Sequence, residues 1–64
     1  MPYTRITQLP KSVRNVLPIE AQQIFKKAFN NAWEQYGNEE SAMRVAWSAV
    51  KRKYKKGKYK WIKK

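Results

Sequence analysis

The chain contains neither cysteine nor histidine. Disulfides, thiolate metal sites and the usual zinc constellations are therefore excluded. Acidic residues are almost as scarce: Glu20, Glu34, Glu39 and Glu40 stand against fifteen Lys and Arg. Without Cys or His no nucleophile–base pair can be assembled, and the two glycines build no phosphate-cradling loop. An enzyme is not expected, and neither is a cofactor. No run approaches the roughly 18 apolar residues that a spanning helix needs. The opening MPYTRITQLP also lacks the apolar centre of a signal peptide. The expectation is a soluble, intracellular chain without integral membrane insertion.

What is present is aromatic and basic. Three Trp, four Tyr and two Phe occur in 64 residues, and large rings bury much area per residue. That matters because a chain of about 60 residues buries only roughly 60% of its unfolded surface. One domain, residues 1–64, is expected. Net charge is +11, and it is concentrated at one end. Residues 1–50 balance to +2, whereas residues 51–64 carry nine cations and no acid. Such a block repels itself and calls for a polyanionic partner.

Pro10 and Pro18 each suit a helix start, where the missing N–H has no bond to lose. Between them a short helix over Lys11–Val16 is expected. From Pro18 to Tyr36 the apolar residues recur at helical spacing, with Ala21, Ile24, Phe25, Ala28, Phe29, Ala32, Trp33 and Tyr36 on one side. Gly37 suits a left-handed C-cap, and Asn38 an N-cap for a helix over about Glu39–Tyr54. The outer face of that third helix is Arg44, Ser48, Lys51, Arg52 and Lys55, within about 100° of arc. Beyond Gly57, Lys58-Tyr59-Lys60-Trp61 alternates like a strand. Its expected partner is the extended segment Pro2–Ile6. Tyr54, Tyr59 and Trp61 argue that most of residues 51–62 is folded rather than a disordered tail, with Lys63 and Lys64 loose.

Laid end to end, these segments carry a resemblance. The matching stretches are Met1-Pro2-Tyr3, Leu9-Pro10-x-Ser12-Val13 and Val16-Leu17-Pro18. They continue through Ala21-Gln22-x-Ile24-Phe25-Lys26-x-Ala28-Phe29-Asn30-x-Ala32-Trp33-x-Gln35-Tyr36. The later ones are Val45-Ala46-Trp47-x-Ala49-Val50-Lys51 and Tyr54-x-Lys56-Gly57, with Trp61 beyond. The chain resembles the ChaB family over essentially its whole length. That resemblance implies an α-rich α+β fold of three helices with a small sheet joining the termini. For bacterial members it implies regulation of a cation/proton antiporter. The short Gly37-Asn38 loop and the acid-free C-terminus look more like the basic ChaB-like proteins of insect DNA viruses, which implies the nucleus of an infected cell.

The basic face, continued by Lys56, Lys58 and Lys60, gives two functional expectations. In the first, a winged-helix-like, helix-turn-helix-like domain binds double-stranded DNA through the third helix and the C-terminal strand. RNA or single-stranded DNA is a variant of it, with Tyr59 and Trp61 stacking on bases. Lys outnumbers Arg eleven to four, so contacts would be to phosphates, with a salt slope near roughly −5 and weak sequence preference. Lys51–Lys56 also matches a nuclear import signal. The alternative is a regulatory module that docks the same patch on an acidic protein or an anionic membrane, anchored by Trp61 and Ile62. The sequence leaves the oligomeric state open.

Overall fold

Two residues, Gly37 and Asn38, join the long helices, and they decide how those helices lie. The computed structural model describes residues 3–64. Helix α1 spans Lys11–Arg14, α2 Ile19–Tyr36 and α3 Glu39–Lys53. Pro10 and Pro18 occupy the cap positions just ahead of α1 and α2. Gly37 takes φ 71°, the left-handed region where a side chain is strained, and its N–H donates to the Trp33 carbonyl at 2.8 Å. Asn38 then caps α3, its Oδ1 accepting the Ser41 N–H at 2.8 Å. A connection this short folds α3 back along α2.

At the far end of this pair, the Tyr54 hydroxyl donates to Glu20 Oε2 at 3.4 Å. The two helices therefore run side by side as an antiparallel hairpin. Three helices and a small two-stranded sheet form, as expected from the sequence.

The core lies in the seam. Ala21, Phe25, Phe29 and Ala32 of α2 face Ala42, Ala46 and Val50 of α3, all buried. Alanines on α3 let the helices approach, and the rings of Phe25 and Phe29 fill the space. Phe25 meets Trp47 edge-on, with centroids 5.1 Å apart at 75°. Leu9, Val13 and Leu17 close one side of this core. Gln22, the one buried polar side chain among the described residues, donates to the Leu17 carbonyl at 2.8 Å and to that of Arg14 at 3.4 Å. Both carbonyls follow or end α1, so the amide satisfies groups a short helix leaves unpaired. The apolar stripe is wider than the partner helix covers. Tyr36, at the turn, is 57% exposed, and Val45 is also exposed.

At Tyr54 the backbone turns extended, and strand β1 (Tyr54–Lys56) pairs antiparallel with β2 (Trp61–Lys63). The expected partner of the last strand is therefore corrected: it is Tyr54–Lys56 and not Pro2–Ile6. The N-terminal backbone is already engaged. Tyr3 donates its N–H to Asn30 Oδ1 and accepts from Asn30 Nδ2, both at 2.7 Å. The Gln8 side-chain oxygen collects the N–H groups of Thr4 and Arg5. A short 3-10 turn, Ile6–Gln8, follows. No row of free donors and acceptors is left there to form a ladder, whereas a hairpin needs only a short loop closure. Met1 and Pro2, which the expected strand and family match include, lie outside the described residues.

The Lys53–Lys64 and Gly57–Lys60 backbone bonds frame the ladder, which makes Lys55–Ile62 its hydrogen-bonded pair. The Trp61 N–H then points outward, and the Val16 carbonyl accepts it at 2.7 Å. Tyr54 and Trp61 join the core, the latter 8% exposed. Tyr59, expected to share that role, is 84% exposed at the hairpin tip. The basic end is thus a folded element, and Lys63, expected to be loose, is paired with Tyr54.

Candidate functional site

The last turn of α3 carries Lys51, Arg52 and Lys53, where cations meet the negative end of the helix dipole. The hairpin adds Lys55, Lys56, Lys58, Lys60, Lys63 and Lys64, and all nine cations are exposed. Among the described residues the single ion pair lies outside this set, between Arg44 Nη2 and Glu40 Oε1 at 3.5 Å. The expectation that no acid interrupts the basic face is corrected there, since Glu40 lies one turn before Arg44. Both partners are highly exposed, so the pair contributes little stability.

The predicted residues border several different depressions. Arg44, Ser48 and Arg52 border a shallow depression with Val45 and Ala49 on the outer face of α3. Lys51 and Lys56 instead rim a second groove, of about 760 Å³, between α1, α3 and the hairpin. Its remaining lining is Ser12, Val16, Trp47 and Trp61. Lys60 belongs to a third depression with Ile19, Ile62, Lys63 and the acidic Glu20. Lys55 sits opposite Ile62 on the hairpin. Lys58 places its Nζ 5.7 Å from the centre of the Tyr59 ring, a weak cation–π contact at an exposed site. The helix ends at Lys53 and the chain becomes extended at Tyr54, so Lys55 and the lysines after it follow no helical wheel.

The second groove includes residues the helical pattern assigned to plain packing. Trp47 is half-buried between Phe25, which it meets edge-on, and Trp61, whose tilted ring lies 5.4 Å away at 30°. Its spacing from Lys51 is one helical turn, so ring and ammonium share an edge of α3. That spacing is the sequence signal that marks the groove. Lys56 faces Trp61 directly across the ladder. No arrangement of three or more Cys, His, Asp or Glu able to hold a metal exists among the described residues. Among the described residues no helix is long and apolar enough to cross a membrane.

Two tyrosines have perturbed phenols. Burial, and then the charge and hydrogen bond of Glu20, push Tyr54 above its ordinary value. Tyr3 is raised likewise by burial and then by Glu39. Both stay neutral near pH 7 and carry no acid–base chemistry there.

Comparison with known proteins places this architecture. The ChaB family model matches residues 9–64. A curated Escherichia coli (strain K12) protein named "Putative cation transport regulator ChaB" is 49% identical over 75 aligned positions, covering 100% of this chain and 99% of that protein. A Shigella flexneri protein of the same name matches equally. An uncharacterized 10.9 kDa protein of Lymantria dispar multicapsid nuclear polyhedrosis virus is 34% identical over 62 residues, 97% of this chain and 64% of the viral protein. Among solved structures, the NMR solution structure of the cation transport regulator ChaB superposes with a TM-score of 0.90 at 49% identity, covering 98% of this chain and 99% of that one.

These findings overturn the DNA-binding expectation, together with the viral and nuclear assignment attached to it. The full-length relatives at 49% identity are named for cation transport, and the viral relative is the more distant at 34%. By family match, full-length identity and superposition, the chain belongs to the ChaB family.

Proposed function

We propose that this protein is a non-enzymatic regulatory module for cation transport that docks its cationic C-terminal surface on an acidic segment of a partner protein. The observation that carries this reading is the anchored hairpin. Six cations project from an element whose Tyr54 and Trp61 are part of the core, three more end α3 just before it, and no acid interrupts residues 51–64. A rigid display loses less conformational entropy on binding than a disordered basic tail would. The names of the full-length relatives support the regulatory role. Between an acidic protein and an anionic membrane, the burial of Trp61 favours the protein. The ring that would anchor in a lipid interface is already committed to packing against Trp47.

The test is a fluorescence-anisotropy titration of a labelled Glu-rich peptide from low to moderate salt, beside vesicles with and without anionic phosphatidylglycerol. The expected result is peptide binding that weakens about tenfold between 50 and 200 mM salt, as screened charge contacts do. Lys51→Glu with Arg52→Glu should abolish it. Absence of peptide binding at low salt, or tighter binding to the anionic vesicles, overturns the reading.

A further inference from the structure

We infer that the groove between α1, α3 and the hairpin is the pocket that selects among acidic partners, by accepting one aromatic side chain flanked by carboxylates. The inference rests on the docking reading above and names the ligand chemistry of one part of that surface. The groove differs from the rest of the cationic surface in combining two kinds of lining. Trp47, Trp61 and Val16 supply apolar and aromatic area, while Lys51, Lys56 and Ser12 form its polar edge. No carboxylate lines it, unlike the depression that holds Lys60 and Lys63, where Glu20 intrudes.

A purely acidic ligand would neutralise the lysines but leave the exposed edge of the half-buried Trp47 in water. A purely apolar one would cover the rings and strip water from two unpaired ammonium groups, which is costly. A ring bracketed by acids satisfies both, since aromatic contacts reward ring on ring and the flanking carboxylates meet Lys51 and Lys56. The walls are also held in place before any ligand arrives. The Val16 carbonyl takes the Trp61 N–H at 2.7 Å, and Trp47 is braced on Phe25 at 5.1 Å. A volume of about 760 Å³ falls in the range of ordinary ligand clefts, roughly 300–1,000 Å³.

The experiment uses the full chain and two synthetic nine-residue peptides, eight Glu around a central Phe or a central Ala. Affinity is measured by titration, and the indole N–H signals of Trp47 and Trp61 are followed by NMR. The Phe peptide is expected to bind about tenfold more tightly and to shift both indole signals, which the Ala peptide leaves nearly in place. Ser12→Tyr, an exposed position that fills the groove from its rim, should erase the Phe advantage while keeping Ala-peptide affinity. Lys56→Glu should weaken the Phe peptide more than the Ala peptide. Equal affinities with unmoved indole signals would overturn the pocket while leaving the docking surface standing. If neither peptide binds at low salt, both readings fall. Binding to anionic vesicles that shifts the indole signals, without a Phe preference, would also overturn the pocket as a peptide site.

Discussion

The helical hairpin and the β-hairpin gain their order in different ways. In α2 and α3 the seam is built from many modest contacts, with alanines on one side and Phe25 and Phe29 on the other. Each turn of helix contributes one or two residues, so order is distributed. The β-hairpin has three residues per strand and only Tyr54 and Trp61 buried. A two-stranded sheet is marginal by itself, so these two rings and the Trp61–Val16 bond attach it to the helices. The difference teaches why the charge sits where it does. An element held by two rings on one face leaves its remaining positions free, and the chain fills them with lysine. Those lysines also keep the short sheet edges from pairing with other chains.

The largest effect should come from cutting the helical seam. Phe25→Ala removes a fully buried ring that meets Phe29 and Trp47, and should cost about 3–5 kcal/mol. In a domain this small that is most of the stability, and urea denaturation followed by circular dichroism should show a chain largely unfolded at 37 °C. Tyr59→Ala, at the exposed hairpin tip, is the control and should fall within about 0.5 kcal/mol of the parent.

The two glycines sharpen the contrast between the regions, because each is required for a different reason. A methyl at Gly57 would run into the Lys60 carbonyl oxygen in the hairpin turn. A methyl at Gly37 meets no atom but must adopt φ 71°. Gly57→Ala should lower stability by about 2 kcal/mol through this clash, and should broaden the hairpin amide signals in NMR while the helices stay ordered. Gly37→Ala should cost about 1 kcal/mol through backbone strain alone, and the loss should appear equally in every probe because the turn belongs to the cooperative core.

The smallest effect is a pH dependence at the junction of the two regions. The Tyr54 phenol is raised in the folded state by burial and by Glu20. Below its ordinary value, near pH 10, it is protonated whether folded or not, and its contribution is fully present. As pH rises further, the unfolded chain loses that proton first, so stability falls until the folded phenol ionises too. Tyr54→Phe should remove this part of the alkaline decline. The comparison is read as unfolding midpoints of parent and variant between pH 8 and 11.5. Parallel curves would show that the contact with Glu20 does not matter.

The helices and their ends were legible in the residues themselves. Pro10, Pro18, Gly37 and Asn38 act through their own backbone and side-chain chemistry, so local sequence suffices to locate them. The buried rings of α2 were equally plain from their spacing, except Tyr36, whose stripe continues past the point where the facing helix ends. The terminal pairing was not legible. Both Pro2–Ile6 and Tyr54–Lys56 are extended-compatible, and the choice turns on where the Asn30 and Gln8 side chains send their hydrogen bonds. Tyr59 and Trp61 look alike in an alternating pattern, yet one is exposed and one buried, because the ladder begins at Trp61 rather than at Lys58.

The candidate surface divides along the same line. Composition and spacing by themselves determined that the chain is cationic at one end, helical through its middle and of the ChaB pattern, since these properties belong to residues or to near neighbours. Only the tertiary structure decided that the cations part into separate depressions, and that Trp47 and Trp61 lie together between Lys51 and Lys56. Those placements depend on how α1, α3 and the hairpin meet, and contacts between distant elements are set by packing the whole core at once.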